Sequence, residues 1–368
     1  MNSVIYHRAE VENSKASYGE NDDLLFFINA EGRALLKNSV RLVGEVRVNK
    51  SSPNVRITKA DDVNMDNVIG IHNVIDNLSV EMDNVGVVEQ FSEVSRYVKM
   101  TEIGERDLND NHAGSRLCEL KTPQEVETRA LLSGFTNNSS GAGADEFRDI
   151  DFSCKIQCCL NKMSDNLSFS KSGLIRLNVR LNKINQTLYG TDCDVNNNYE
   201  LRNVRVEFKS VPDEMNEVQM RTILSLKSSI NSALSNTMSK VPAVVDGVSC
   251  CFLEQSKENS LKDCNTSMDV LPSISEVQFL FQDSTSQYIS YVIDSRGQML
   301  DLFVDSLRNS GHNMINVNHN NTNFGVGVSF EPVDLSNQKF NIQIKSDTNT
   351  LNTNPFIIYQ FFHSFISL

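Results

Sequence analysis

The sequence predicts a mainly β protein built as two β-sandwiches joined by a long helix. Three observations carry that expectation. Runs of apolar residues at every second position recur along most of the chain, as in "LIRLNVRL" and "LRNVRVEF". One stretch near the middle changes to a spacing of three to five. At 368 residues the chain is too long for one ordinary domain and long enough for a core in each half.

The strand series opens with "DLLFFINA" (23–30) and "NSVRLVGEVRV" (38–48), the second placing Val40, Leu42, Val46 and Val48 on one face. Residues 68–82 and 86–100 read as strands broken by a bulge or corner. "TPQEVETRALLSG" (122–134) has Thr122 at the N-cap, Pro123 at the first helical position, Glu125 closing a capping box and Gly134 as a stop, so a short helix is expected. The polar, Gly-rich stretch 135–147 is expected as a surface loop. Strands resume at 149–162, 172–183 and 199–211, the last two with Leu174, Leu177, Val179 and Leu181, then Leu201, Val204, Val206 and Phe208, facing inward.

Residues 212–240 carry the spacing change. Met215, Val218, Ile223, Leu226, Ile230, Leu234 and Met238 form a stripe, Asp213 and Glu214 stand in the first turn, and Pro242 follows, so one long amphipathic helix is expected. Strands then return at 243–255, 274–283 and 286–294. A helix over 296–310 is expected from the stripe Met299, Leu300, Phe303, Val304 and Leu307. "FGVGVSFEPVDLSNQKFNIQIKS" (324–346) and "NPFIIYQFFHSFISL" (354–368) close the chain as strands. Phe340 to Ile344 are expected buried, and Asp334 to Lys339 exposed or at a subunit contact.

Many short strands with helices in their longer connections suit jelly rolls. The expected divisions are an N-terminal arm (1–20), a first jelly roll (21–211), a linking helix (212–242) and a second jelly roll (243–368).

Composition excludes several functions. A net charge of −13 and a pI near 5.0 argue against the whole chain wrapping nucleic acid. No apolar run approaches the roughly 18 residues of a membrane-spanning helix. The first residues lack a basic segment followed by an apolar one, so a chain made and used inside a cell is expected. Eight cysteines (Cys118, Cys154, Cys158, Cys159, Cys193, Cys250, Cys251 and Cys264) include two vicinal pairs and no C-x-x-C, which favours reduced, buried thiols. Cys158 and Cys159 are expected on opposite faces of a strand.

Chemistry is sparse. His7, His72, His112, His312, His319 and His363 form neither H-x-H nor H-E-x-x-H, and His72 is expected as a satisfied core or edge residue. "DCDVNNN" (192–198) resembles a calcium loop but has Asn197 and Asn203 where Gly and Glu are needed. There is no G-x-S-x-G and no phosphate-binding loop. Glu207 and Glu331 are expected as surface charge on wet sheet faces. No catalytic, cofactor or metal residue is assigned, and no cofactor is expected.

The order "LPSISEVQFLFQDSTSQYISYVID", "QMLDLFVDSL", "FGVGVSFEPVDLSNQKFNIQIKS" and "PFIIYQFF" resembles the C-terminal part of capsid proteins from double-stranded DNA viruses of the adenovirus, tectivirus, virophage and polinton-like lineage. "LSFSKSGLIRLNVRLNKINQTLYG" with "YELRNVRVEFKSV" resembles the end of the first jelly roll in that group. The resemblance covers most of 20–368. It implies a double jelly-roll major capsid protein that forms homotrimers, three copies making a pseudo-hexameric capsomer of an icosahedral capsid. The partners implied are itself, neighbouring capsomers, penton and minor capsid proteins and, for some members, an internal membrane, with no sequence-specific nucleic acid. The location implied is the virion, after assembly inside the host cell. Such barrels stand upright, so 135–147 and the Asn-rich 316–323 are candidates for an exposed tip or an inter-capsomer edge.

Residues 243–368 offer barely enough chain for eight strands. That keeps a penton or minor capsid protein open, with a single jelly roll plus an added domain and five copies at a vertex. A carbohydrate-binding sandwich is the other alternative, weakened by the absence of Trp. An enzyme is the least expected.

Overall fold

The computed structural model of the chain describes residues 3–51, 55–57, 61–66, 68–105, 119–120, 149–239, 241, 243–269, 274–282, 287–312, 314, 325–336, 339–346, 351 and 353–368. The first half opens with β1 (Ile5–Glu10), β2 (Asp23–Ile28), β3 (Arg33–Leu35), β4 (Arg41–Ser51), β5 (Val55–Arg56) and β6 (Asn64–Met65). β7 (Ile75–Met82) and β8 (Gly86–Phe91) lead into helix α1 (Val94–Glu105). β9 (Ile150–Lys155), β10 (Leu167–Ser168), β11 (Ile175–Leu181), β12 (Leu188–Tyr189) and β13 (Asn198–Pro212) complete it. The second half holds β14 (Gln219–Ile230), β15 (Leu234–Ser239), β16 (Val244–Glu254), β17 (Ile274–Gln282) and β18 (Gln287–Ile293). Helix α2 (Arg296–Asn309), β19 (Val326–Asp334), β20 (Lys339–Ser346) and β21 (Phe356–Ser367) follow.

Two antiparallel sheets, ordered β14-β21-β16-β19 and β15-β20-β17-β18, make the second sandwich. The first repeats this connectivity strand for strand. β1 pairs with β13, β13 with β4 and β4 with β9, while β2 pairs with β11, β11 with β7 and β7 with β8. In order, β1, β2, β4, β7, β8, β9, β11 and β13 are the counterparts of β14 to β21. Eight strands in two four-stranded sheets wound this way are a jelly roll, and the chain contains two. Short strands β3, β5 and β10 extend the first roll's larger sheet, and β6 pairs with β12.

Several expectations need correction. The linking helix expected over 212–242 is not found among the described residues: its central part is β14 and β15. Every residue from Gln219 to Ile230 pairs with β21, from Ser367 back to Phe356. Ser225, Ser228 and Ser229 together with Thr222 and Ile223 give that segment low helix propensity, and a twelve-residue ladder outweighs a loosely spaced apolar stripe. Leu226, expected on the buried stripe, is exposed. The second roll therefore starts at β14, not at 243, and has its full eight strands.

The expected N-terminal arm contributes β1, an edge strand of the first roll. The expected strand over 86–100 ends at Phe91. Glu93 at φ +58° breaks the extended chain, and Val94, Tyr97, Val98 and Thr101 follow at helical spacing, all buried. Over 68–82, a single 3₁₀ turn at Gly70–Val74 precedes β7. Gly70 has φ +54°, and a Cβ there would lie 2.1 Å from the Glu119 carbonyl oxygen, so the corner requires glycine. Cys158 and Cys159 sit beyond the end of β9 at a 3₁₀ turn, not on a strand, and both are buried. Leu335 is fully buried within the chain, although its connection is expected exposed or at a subunit contact. The expected helix over 122–134, the stretches 135–147 and 316–323, and Cys118, His112 and His319 lie outside the described residues.

The strand expectations at 23–30, 38–48, 172–183, 199–211, 243–255 and 274–283 meet β2, β4, β11, β13, β16 and β17, and α2 occupies its expected place. Phe340, Ile342 and Ile344 are buried, with Phe340 edge-on to Phe362 at 5.3 Å.

Two apolar cores result. One lies inside the second roll, where Val248, Cys250, Phe252, Ile358 and Phe362 meet Phe279, Phe281 and Phe340. The other fills the first roll and continues onto the far side of the same second-roll sheet, taking in Cys251, Leu253, Ile357, Tyr359 and Phe361. Sheet β14-β21-β16-β19 is thus buried on both faces along β16 and β21, which explains the nearly unbroken apolar runs "VSCCFL" and "FIIYQFF". A core shared between the rolls makes them one cooperative unit. Phe361→Ala is expected to lower stability by about 3–5 kcal/mol in denaturant titration. The wild-type chain is expected to give one calorimetric transition, whose separation into two would refute the shared core.

Candidate assembly surfaces and the junction between the rolls

Helix α1 sits at the junction, with Val94, Ser95, Arg96, Tyr97, Val98 and Met100 all buried. Its apolar residues join the shared core, Arg96 and Tyr97 face groups from the second roll, and Ser95 and Lys99 bond Asn182 and Asp66 of the first. The Arg96 guanidinium lies 3.9 Å above the centre of the Tyr359 ring, and its Nε is 3.6 Å from Glu93. The Tyr97 hydroxyl is 2.8 Å from His312 Nε2, and Lys162 Nζ approaches both at 3.3–3.4 Å.

Two buried carboxylates tie the backbones together. Glu89 on β8 accepts from the Cys159 N–H at 2.7 Å and from the Ile223 N–H of β14 at 3.0 Å. Burial pushes its carboxyl above the ordinary range against the pull of those donors. Asp66 accepts from Lys99 Nζ at 2.8 and 2.9 Å, from the Thr266 hydroxyl at 2.5 Å and from the Val68 N–H at 2.8 Å. Burial alone would raise its pKa, but the Lys99 charge and these donors lower it from 3.8 to about 2. Asp66 therefore joins the first roll and α1 to the segment that follows β16.

Two Ser–His pairs lie within hydrogen-bond distance among the described residues: Ser210 Oγ with His7 Nε2 at 2.7 Å, and Ser249 Oγ with His363 Nε2 at 2.8 Å. In the first, the Ser210 hydroxyl also accepts from Arg33 Nε at 2.6 Å, which ties up the oxygen that would attack. The second suits catalysis no better. Ser249, His363 and Ser306, the last 2.7 Å from Ser249, are fully buried between α2 and the sheet. His363 Nδ1 has no carboxylate to orient it. Burial, with Lys162, His312 and Arg221 nearby, drives the His363 pKa well below its usual value and keeps the ring neutral. The sequence signal for this cluster was a histidine inside an apolar run, which no motif search rewards.

The residues singled out from the sequence fall in separate places. His72 is buried, with Nε2 2.9 Å from the Lys155 carbonyl and Nδ1 3.1 Å from that of Ile69, so it is a satisfied core histidine. In the stretch resembling a calcium loop, Asp194 accepts from the Asn196 N–H at 2.8 Å and Asn197 Oδ1 accepts from the Asp194 N–H at 2.6 Å, a self-contained turn. No group of three or more potential metal ligands occurs among the described residues. Glu207 bonds Arg205 on the first roll, while Glu331 is exposed on the second, so the two carboxylates are not brought together. Cys250 faces the second roll's core and Cys251 the shared core, and burial raises both thiols, Cys251 to about 12.

Surfaces remain. A cleft of about 490 Å³ opens between the rolls, with Asn77, Ser79, Asn178 and Arg180 on the first roll facing Leu224 and Leu226 of β14. The buried side-chain oxygens of Asn77 and Asn178 have no protein partner. The outer face of β1-β13-β4-β9 is a mesh of ion pairs, among them Arg205 with Glu207 at 2.9 Å, Arg202 with Glu200 at 2.7 Å and Arg47 with Asp149 at 2.6 Å.

Removing a junction carboxylate is expected to be costly. Glu89→Ala strands two buried N–H groups and is expected to lose about 3 kcal/mol or more in chemical denaturation. For Asp66, a pKa lower in the folded than in the unfolded chain means its stabilisation is present above pH 4 and disappears as pH falls through 2. The difference is on the order of 2 kcal/mol. Asp66→Asn is expected to flatten the stability profile between pH 4 and 2; an unchanged profile would show that the Lys99 pairing contributes nothing.

No family model and no curated protein sequence matches the chain. Solved structures do. VP54 of PBCV-1, from a crystal structure fitted into a reconstruction of the virophage Sputnik, superposes with a TM-score of 0.61 at 8% identity over 100% of this chain and 95% of that one. The Faustovirus major capsid protein gives 0.61 at 7% identity over 100% and 90%. A chain of the Sputnik virophage, solved by cryo-EM, gives 0.58 at 11% identity over 100% and 86%. Whole-chain similarity at such low identity is a likeness of fold, and the fold of this chain is the double jelly roll found in these capsid proteins.

Proposed function

We propose that the chain is a major capsid subunit that assembles in threes into a pseudo-hexameric capsomer of an icosahedral virion. The observation that carries this reading is the strand-for-strand duplication of an eight-strand roll along the chain, the two rolls joined through a shared core. Three such blocks around an axis present six similar rolls, a closed cyclic arrangement. The buried polar side chains of Glu89 and Asp66 serve the junction, and the Ser249–His363 pair is sealed, which agrees with a role in shape rather than chemistry. The Faustovirus relative in fold is a major capsid protein by name.

The penton alternative rested on a second half too short for a roll. With β14 and β15 supplying two of its strands, that basis is gone. Neighbouring capsomers and vertex proteins are the further partners this role requires.

Size-exclusion chromatography with light scattering is expected to give three times the chain mass. Five copies would favour a vertex protein instead. A monomer retained on immobilised glycans would support the carbohydrate-binding reading.

A further inference from the structure

The first strand of the first roll is fastened by a polar clamp more than by apolar contact. β1 is an edge strand paired to β13, and around its start Val4 is 45%, Ile5 41% and Tyr6 74% exposed. Only at Ala9 and Val11 does the segment enter the core. Three side chains hold the part before them. His7 on β1 stacks on Phe208 of β13 at 4.8 Å, and its Nε2 lies 2.7 Å from Ser210 Oγ. Arg33 on β3 donates from Nε to the same oxygen at 2.6 Å, and from Nη2 to the carbonyls of Ser3 at 2.6 Å and Ser210 at 3.1 Å.

The protons of this cluster suit one charge state. Arg33 is always charged and only donates, so Ser210 Oγ accepts from it and has its own proton to give to His7 Nε2. That arrangement requires a neutral ring. A charged ring would have to donate instead, leaving one hydroxyl oxygen between two cationic donors, and no carboxylate among the described residues acts on His7 to offset them. Its other neighbours are uncharged. β13 places Phe208 and Ser210 on the His7 side, Phe169 stands behind Phe208 at 6.5 Å, and Arg8, Glu207 and Lys209 project from the opposite face of the β1 and β13 pair. We propose that β1 carries an acid-released strap: with His7 neutral, Ser3 to Arg8 lie docked on β13, and protonation of His7 against Arg33 frees them while Ala9 and the roll stay in place.

The direction of the response follows from linkage. Burial and the Arg33 charge hold the His7 pKa below its usual 6.5 in the docked strand, whereas a released His7 in water titrates at the ordinary value. Docking is therefore favoured above pH 6.5 and weakens as pH falls through the docked value. Across that interval the ratio of released to docked strap rises by up to about tenfold per pH unit, then levels off. Release stops at Ala9, because Ala9 and Val11 are buried and the Glu12 N–H donates to the Leu25 carbonyl at 2.9 Å. The strap works within a single chain and does not depend on assembly.

The chain has no Trp, so Tyr6→Trp puts a single indole on the exposed side of the strap. In the full chain its fluorescence anisotropy is expected to be high at about pH 8 and to fall on acidification to about pH 5, with the far-UV circular dichroism retained. His7→Gln, whose amide oxygen still accepts from Ser210, is expected to keep the anisotropy high throughout. Nuclear magnetic resonance of ring-labelled histidine is expected to place the His7 pKa below 6.5, and Arg33→Gln to raise it. A fall that persists in His7→Gln, or one that comes only with loss of the circular dichroism, overturns the proposal. So does an anisotropy indifferent to pH, or a His7 pKa at or above 6.5. A low anisotropy in His7→Gln at every pH overturns it too, because the ring stack and not the charge would then be the fastening.

Discussion

Burial of one sheet on both of its faces organises the molecule. In an isolated jelly roll each sheet has a dry inner face and a wet outer one, and the strands alternate accordingly. Sheet β14-β21-β16-β19 departs from that rule: its outer side carries Cys251, Leu253, Ile357, Tyr359 and Phe361 into the core of the first roll. Exposed, such a face would be a large apolar patch and a site of aggregation. It is stable only when the first roll covers it, so the relative placement of the rolls is set by the second roll's own sequence.

An apolar interface alone is not directional. The buried polar groups supply direction. Glu89 reaches two backbone N–H groups, one from each roll, and Asp66 holds Lys99 and Thr266 in the same way. Each is satisfied in one arrangement and stranded in any other, and a stranded buried carboxylate costs several kcal/mol. Helix α1 brings Arg96, Tyr97 and Lys99 to this junction, so a connection between strands β8 and β9 of one roll becomes the filling between two.

What could be read from the sequence follows from this division. Strands with one wet face, such as β11 with Leu177, Val179 and Leu181 and β20 with Phe340, Ile342 and Ile344, alternate cleanly and were legible. Segments at the junction were not, because contacts from the other roll set their pattern. β14 has one edge paired to β21 and the other meeting Glu89, so its apolar residues fall at irregular intervals that imitate a helix. The stretch after Phe91 made the reverse error: "VSRYVKM" alternates well enough for a strand, yet Val94, Tyr97 and Val98 are the buried side of a helix.

The duplication also bears on how one fold supports two kinds of contact. Both rolls have the same strand order, so the same face recurs twice in the chain with opposite treatment. In the second roll it was made apolar and permanent, with "VSCCFL" on β16. In the first, the counterpart strand β4 carries Arg41, Glu45 and Arg47 outward and pairs them across β9 and β13. These pairs are partly exposed, so their charges keep much of their hydration and hold the face together only weakly. The face needs no cover, whereas its apolar counterpart on β16 and β21 is stable only beneath the first roll. One strand order thus carries a face that water covers and a face that the chain itself must cover, and side-chain chemistry alone decides which.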